Sequence, residues 1–271
     1  MSITFLLRIV IGTAAALLLS SLVAVRAQQP AFSEYTRAAD YCRGDVARPM
    51  ALSPDKRVLC FDGRLAPRQD YSAVKSLEDS GLFVVRSPGG DILTGIDLAE
   101  LIRDRHATVV IYDYCLLACA DFLLFASEQT FVLANSIVAW GYSIEPPWCP
   151  SLAVAKDGGP KRLEIAPCSD APREYLEGYK IFEDVRREFY AARGADPLAE
   201  WPPQSIFVRN ILRRKFEGTG SVRDTYWTWN PRHNAGTIKT RIVYEAYPQT
   251  QDEVDAIAAR ISFYHPVIRD P

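Results

Sequence analysis

Few side chains in this sequence are equipped for catalysis. Its 271 residues include only three histidines, at 106, 233 and 265, so a reaction that needs an imidazole base has three places to find one. Six cysteines stand at 42, 60, 115, 119, 149 and 168. They are bridges, metal ligands or nucleophiles according to the redox state of the compartment. No Cys-x2-Cys pair occurs, and no histidine lies at zinc-finger spacing from a cysteine, so neither a metal nor a cofactor is expected. A third feature is chemistry of the backbone. Ser87-Pro88-Gly89-Gly90-Asp91 joins an apolar run to a helical one. Its two glycines permit unusual torsions and close approach, and a turn that opens a helix offers free amides to a carboxylate or an oxyanion.

The compartment is read from the N-terminus. Residues 1–27 fit an export signal, with Arg8 as the basic flank, an apolar Ile9–Val25 run and a Val25-Arg26-Ala27 cleavage site. The run also reaches the short limit of a membrane anchor, so cleavage and retention both stand as readings. The protein is therefore expected in the periplasm, secreted, or held at the inner membrane through residues 1–27 alone. Export turns the even cysteine count into expected disulfides. Proximity favours Cys42–Cys60 and Cys149–Cys168, and Cys115 and Cys119 are close enough to bridge across one turn. A formal charge of −2 offers no bulk basic surface, so nucleic acid is not an expected partner.

A regular rhythm must position these groups. Short apolar strands are expected at 57–62, 82–86, 108–112, 131–133 and 136–140, and helices at 71–79, 91–105 and 117–127. Strands that are apolar throughout and alternate with helices indicate parallel pairing covered on both faces. Residues 28–55 read as irregular, with a helical turn near 34–41. Six prolines within 143–172 suggest a loop insertion pinned by Cys149 and Cys168. Beyond it come an amphipathic helix at 173–193 with Tyr175, Tyr179, Phe182, Val185 and Phe189 as its stripe, a helix at 205–215, and a strand at 237–246. Thr250-Gln251-Asp252-Glu253 is a capping box for a last helix.

The order of these motifs resembles the Clp protease proteolytic subunit and the related crotonase-like, signal-peptide-peptidase-type families. Ser87-Pro88-Gly89-Gly90, with Gly95 one turn on, is similar to their oxyanion loop. Cys115-Leu116-Leu117-Ala118-Cys119 resembles the Cys-x-Ser-Ala-Cys form of their nucleophile turn, and Phe122-Leu123-Leu124 and Asn135-Ser136 resemble the segments that follow. The likeness covers roughly residues 56–142. It implies an α/β, crotonase-like (Clp-protease-type) ββα spiral core over about 56–142, within a single domain 28–271. The disulfide-pinned insertion and an α+β C-terminal extension would occupy about 143–271. It also implies oxyanion donors at Gly90 and Ala118, with Gly89 in the same loop, and assembly as a homo-oligomer or with an active homologue.

The likeness stops at the chemistry. The nucleophile position holds Leu117 and the base position holds Gly141, and residues 113–126 contain no Ser or Thr. A nucleophile and its base act as a unit, so no catalytic residue is assigned. The expectation is an exported, catalytically inactive relative of Clp-type serine peptidases, binding a peptide or carboxylate or acting in assembly. The alternative is a periplasmic hydrolase with relocated groups: Cys115 or Cys119 as nucleophile, and His233 or Asp121 as base. His106 and His265 read as surface residues, and Trp227 and Trp229 as packing. Asp113 reads as a turn residue, and Arg213-Arg214-Lys215 as a solvated helix end.

Overall fold

Strands that are apolar on both faces must be covered on both, and here they form the middle of a mostly parallel sheet. A computed structural model describes residues 29–141, 148–153, 162–167, 184–194, 226–230 and 238–269. The expected export signal, Cys168 and with it the expected Cys149–Cys168 pairing, Tyr175, Tyr179, Phe182, the helix expected at 205–215 with Arg213-Arg214-Lys215, and His233 lie outside the described residues. Strand β1 (Met50–Leu52) pairs antiparallel with β2 (Val58–Asp62). From β2 the sheet continues in parallel through β3 (Leu82–Ser87) to β4 (Thr108–Leu116).

Strand β4 then has two parallel neighbours on one side. Its first part, Val109–Ile111, pairs with β5 (Gln129–Val132), and its last part, Tyr114–Leu116, pairs with β6 (Ile137–Gly141). Between the two lies a bulge: Val85 of β3 faces Ile111, yet Ser87 faces Cys115. A bulge bends a strand and re-aims its side chains. The second, antiparallel ladder of β7 (Trp148–Ala153) and β8 (Arg162–Pro167) stands apart from the main sheet. β6 carries β9 (Tyr226–Thr228) antiparallel, β9 carries β11 (Val267–Arg269) in parallel, and β10 (Arg241–Tyr244) extends β5.

Helix α1 (Gln29–Arg43) covers one face of the sheet, its Ala38, Ala39 and Cys42 packing with Cys60, Val84, Val110 and Tyr112. Helix α2 (Ile92–Asp104), the short α3 (Ala118–Phe122) and a 3-10 turn at Leu123–Phe125 cover the other, against Phe61, Phe83, Val85 and Ile111. Phe189 and Tyr190, on a helical segment at 184–192, close that side, with Phe189 edge-on to Phe122 at 5.2 Å. Helix α4 (Gln251–Arg260) lies under the β6 end with Val254, Ile257 and Ala258 buried against Ile137 and Ala139. Thr250 Oγ1 accepts from Glu253 N at 3.2 Å, while the Glu253 carboxylate reaches back to accept from Gln249 N, one residue earlier than a capping box requires.

Several expectations are corrected. Residues 29–43 are helical rather than irregular, because their stripe of Phe32, Tyr35, Ala38, Ala39 and Cys42 is apolar enough to seal a sheet. The strand expected to stop at 112 runs to Leu116, since the bulge absorbs the polar Asp113. The helix expected over 117–127 breaks into α3 and a 3-10 turn, and that over 71–79 shrinks to a 3-10 turn at Ser72–Ser76. The proline-rich insertion is not all loop, because β7 and β8 pair within it.

Cys42 and Cys60 are bridged, with Cα atoms 5.4 Å apart, and tie α1 to the middle of β2. A second bridge joins Cys115 to Cys119. Two disulfides are the mark of an oxidising, extracellular-type environment. Among the described residues no helix is long and apolar enough to cross a membrane. Replacing both Cys42 and Cys60 by alanine should lower unfolding free energy by about 3 kcal/mol. Urea denaturation of the variant beside the parent measures it.

Candidate functional site

The Gly-Gly turn and the turn after β4 lie against each other. Gly89 takes φ +83° and Gly90 φ +143°, and a side chain on Gly90 would strike the Leu65 carbonyl. Leu65 holds the turn from both sides: its N–H donates to Gly89 O at 2.9 Å, and its carbonyl accepts from Asp91 N at 2.9 Å. A Cβ on Gly89 would lie 3.0 Å from the Ala118 amide nitrogen and would also strike the Leu116 carbonyl. Glycine here is what allows the two turns to abut, which sets Gly89 against Ala118. The Gly89 amide is already used, donating to Ser87 Oγ at 3.1 Å. The amides of Gly90 and Ala118 have no acceptor among the described residues.

The start of α2 is not open to an external anion. Asp91 caps it, its Oδ1 accepting from Thr94 N at 2.8 Å and from Thr94 Oγ1 at 2.7 Å. The chain's own carboxylate thus fills the place expected for a ligand's.

Leu117 sits at φ +52°, ψ −126°, on the sharp turn from β4 into α3. A residue with a Cβ pays roughly 1–3 kcal/mol for such torsions, and this strand-to-helix corner is the geometry that exposes a nucleophile in serine hydrolases. Two backbone bonds fasten it: Leu117 N donates to Ala139 O at 3.0 Å, and Asp121 N donates to Leu117 O at 2.8 Å. The half-buried leucine side chain points toward β6. A Cβ on Gly141 would lie 2.5 Å from Leu117 Cδ2. The two positions are therefore sterically linked, the end of the leucine side chain occupying space that a side chain at 141 would enter.

Cys115 and Cys119 are fully buried and bonded to each other, so neither is a thiolate beside this turn. Ser87 is likewise buried, with its hydroxyl accepting the Gly89 N–H. Asp121 lies near the end of the short α3, and its main-chain carbonyl accepts from Tyr190 Oη at 2.7 Å. His106 is exposed and follows the C-terminus of α2, in the left-handed conformation (φ +49°) with its N–H donating to Arg103 O. His265 is exposed beside Tyr226 and Phe263. Trp227 and Trp229 pack on Trp140, with ring centroids 5.0 and 5.6 Å away, which bears out the packing reading.

The sequence reading missed the charged centre of the molecule. The bulge places Asp113, at φ +55°, between two arginines: Arg43 Nη2 donates to its Oδ1 at 2.9 Å and Arg86 Nη1 to its Oδ2 at 3.0 Å. Arg86 also grips Asp62 with two N–H groups, and Arg48 reaches the same carboxylate at 2.6 Å. Asp40 adds a contact to Arg43 at 2.8 Å. The result is an alternating chain, Asp40–Arg43–Asp113–Arg86–Asp62–Arg48, across the ends of α1, β2, β3 and the β4 bulge. Arg43 and Arg86 also lie over the Tyr112 ring at 5.0 and 5.4 Å. The available signal was parity: Cys60, Asp62, Val84, Arg86 and Tyr112 share the face that α1 covers.

No known family model matches the chain, and no curated protein is significantly similar to it.

Two outcomes are expected here. Gly141→Ala should destabilise the protein by about 1–3 kcal/mol through overpacking, and Leu117→Ala should relieve that penalty. A double-mutant cycle by urea denaturation should then give a coupling of at least about 0.5 kcal/mol. The buried Tyr112 phenol has no hydrogen-bond partner among the described residues, and burial first, then the nearby Asp62 charge, push its pKa up to about 12. An unfolded tyrosine titrates near 10. The stability tied to its neutral form is therefore intact below about pH 10 and is lost as pH rises from about 10 through 12. Phenolate absorbance should show more than one tyrosine titrating late, Tyr112 and Tyr244 among them, together with unfolding.

Proposed function

We propose that this protein is an exported, non-catalytic relative of the Clp-type serine peptidases, built on a crotonase-like core and acting as a binding or assembly protein. Its place is the periplasm or the extracellular space, with residues 1–27 as signal or anchor. The observation that carries the reading is the pair Leu117 and Gly141. Leucine stands on a strained strand-to-helix corner where a nucleophile would stand, and the end of its side chain lies in the space that a side chain at 141 would first enter. Leucine has no proton to give and no lone pair to attack with. What remains beside it is the Gly89-Gly90 turn and the unengaged amides of Gly90 and Ala118, which suit a carbonyl or carboxylate of a peptide. A second copy of the chain, or an active homologue, is the other partner this reading admits.

The alternative hydrolase would need a thiolate at 115 or 119, and the bridge between them withholds it. The test challenges disulfide-intact protein with a fluorophosphonate probe, a thiol-directed alkylator and a peptide library. We expect no covalent adduct, no cleavage, and reversible retention of peptides. Labelling or cleavage that survives Leu117→Ala but disappears on changing another residue would overturn the non-catalytic reading.

A further inference from the structure

A cleft of about 440 Å³ opens where β3, the β4 bulge, the β5–β6 turn and the C-terminal ends of α1 and α4 converge. In α/β sheets the carboxyl ends of parallel strands are where ligands are bound. Neither glycine of the Gly-Gly turn lines it, nor do Leu117 and Gly141. Its wall is polar and rich in donors: Arg43, Arg86, Arg260, Asn135 and Ser262.

The decisive feature is an imbalance between donors and acceptors. The one carboxylate in the wall, Asp113, has both oxygens engaged, by Arg43 and by Arg86. The charges behind the wall also cancel, because Arg43, Arg48 and Arg86 are matched by Asp40, Asp62 and Asp113. Within the wall itself Arg260 is left over, while Glu245, whose Oε2 accepts from Ala134 N at 2.8 Å, stands at its edge. Its guanidinium has no acid partner among the described residues, and neither the Asn135 amide nor the Ser262 hydroxyl has a hydrogen-bond partner there. A guanidinium carries five N–H donors in a fork that fits a carboxylate. The α4 terminus does not oppose an anion strongly. Ser262 N donates to Ala259 O at 3.1 Å and Phe263 N to Ala258 O at 2.8 Å, so the final carbonyls are capped.

From this surplus of donors and of one positive charge we infer that the cleft binds the carboxylate of a small ligand, amino-acid to dipeptide in size, through Arg260, Asn135 and Ser262. The volume exceeds a bare carboxylate and lies in the range of small-molecule sites. A dianion such as phosphate is the poorer fit, because one surplus cation leaves it half compensated. This site is separate from the Gly90 and Ala118 amides, and it stands whether or not the preceding functional proposal does.

Calorimetric titration of the disulfide-intact protein at low ionic strength tests it, with N-acetylglycine, N-acetylglycinamide and inorganic phosphate as probes. We expect N-acetylglycine to bind, the neutral amide to bind at least about tenfold more weakly, and phosphate to bind no tighter than the carboxylate. Arg260→Gln should weaken N-acetylglycine about tenfold, and Asn135→Gly, which keeps the left-handed turn, should weaken it severalfold. Equal binding of acid and amide, no binding of the acid at tens of millimolar, tighter phosphate, or unchanged affinity in both variants would each overturn the assignment. Peptide retention at the Gly-Gly turn that persists in Arg260→Gln, together with unchanged N-acetylglycine affinity, would leave that separate proposal standing while this one fell.

Discussion

The bulge in β4 is the constraint on which the rest of the structure depends. A straight β4 could pair with β5 or with β6 along its length, but not with each in turn. By spending Ile111 to Cys115 where β3 spends only Val85 to Ser87, the strand turns from one neighbour to the other. Three consecutive residues then serve three environments. Tyr112 goes under α1, Asp113 goes between two arginines, and Tyr114 packs against the cluster that holds Leu116, Ile137 and Val254. The strand ends at Leu116, one residue before the strained corner, so the bulge also fixes where that corner meets the Gly-Gly turn.

The ion-pair chain is the electrostatic counterpart of that bend. A lone carboxylate at the end of a buried strand would be costly, and Asp62 and Asp113 are each shared between two arginines. The hydrogen bonds that Arg86 donates to Asp62, chief among several causes, hold its guanidinium more firmly charged than usual. Exposed ion pairs contribute little singly, but this chain is anchored at its centre by a two-pronged grip and by the Tyr112 ring. Its effect is mainly to set register. Any slip of β4 against β3 would part Asp113 from Arg86 and drive a carboxylate toward the α1 packing.

Much of the fold was legible because apolar runs and glycines are strong local signals. The parallel β2–β3–β4 order, helix α2 with Asp91 at its start, and the Gly-Gly turn all follow from local pattern, and so does the Cys42–Cys60 pairing from proximity. Helix α1 did not, because Ala38, Ala39 and Cys42 are weak apolar signals whose worth appears only against a sheet. The bulge did not either, since Asp113 reads as a strand terminator until Arg43 and Arg86 arrive from distant positions. Leu117 and Gly141 could each be named as departures, yet their steric linkage is a property of two strands' register.

That linkage bears on why the corner stays strained. A leucine side chain gains nothing from such torsions, and on an unconstrained backbone the corner would relax. Here the corner keeps φ +52° under a leucine, held by the Ala139 carbonyl, the Asp121 amide and the flanking bridge of Cys115 to Cys119. Such torsions persist only where the surroundings over-determine them. Since the leucine side chain does not account for the strain, what the corner fixes is the direction of the backbone, and above all the Ala118 amide set against the Gly-Gly turn. On the proposed reading, that donor is oriented to hold a carbonyl or carboxylate oxygen.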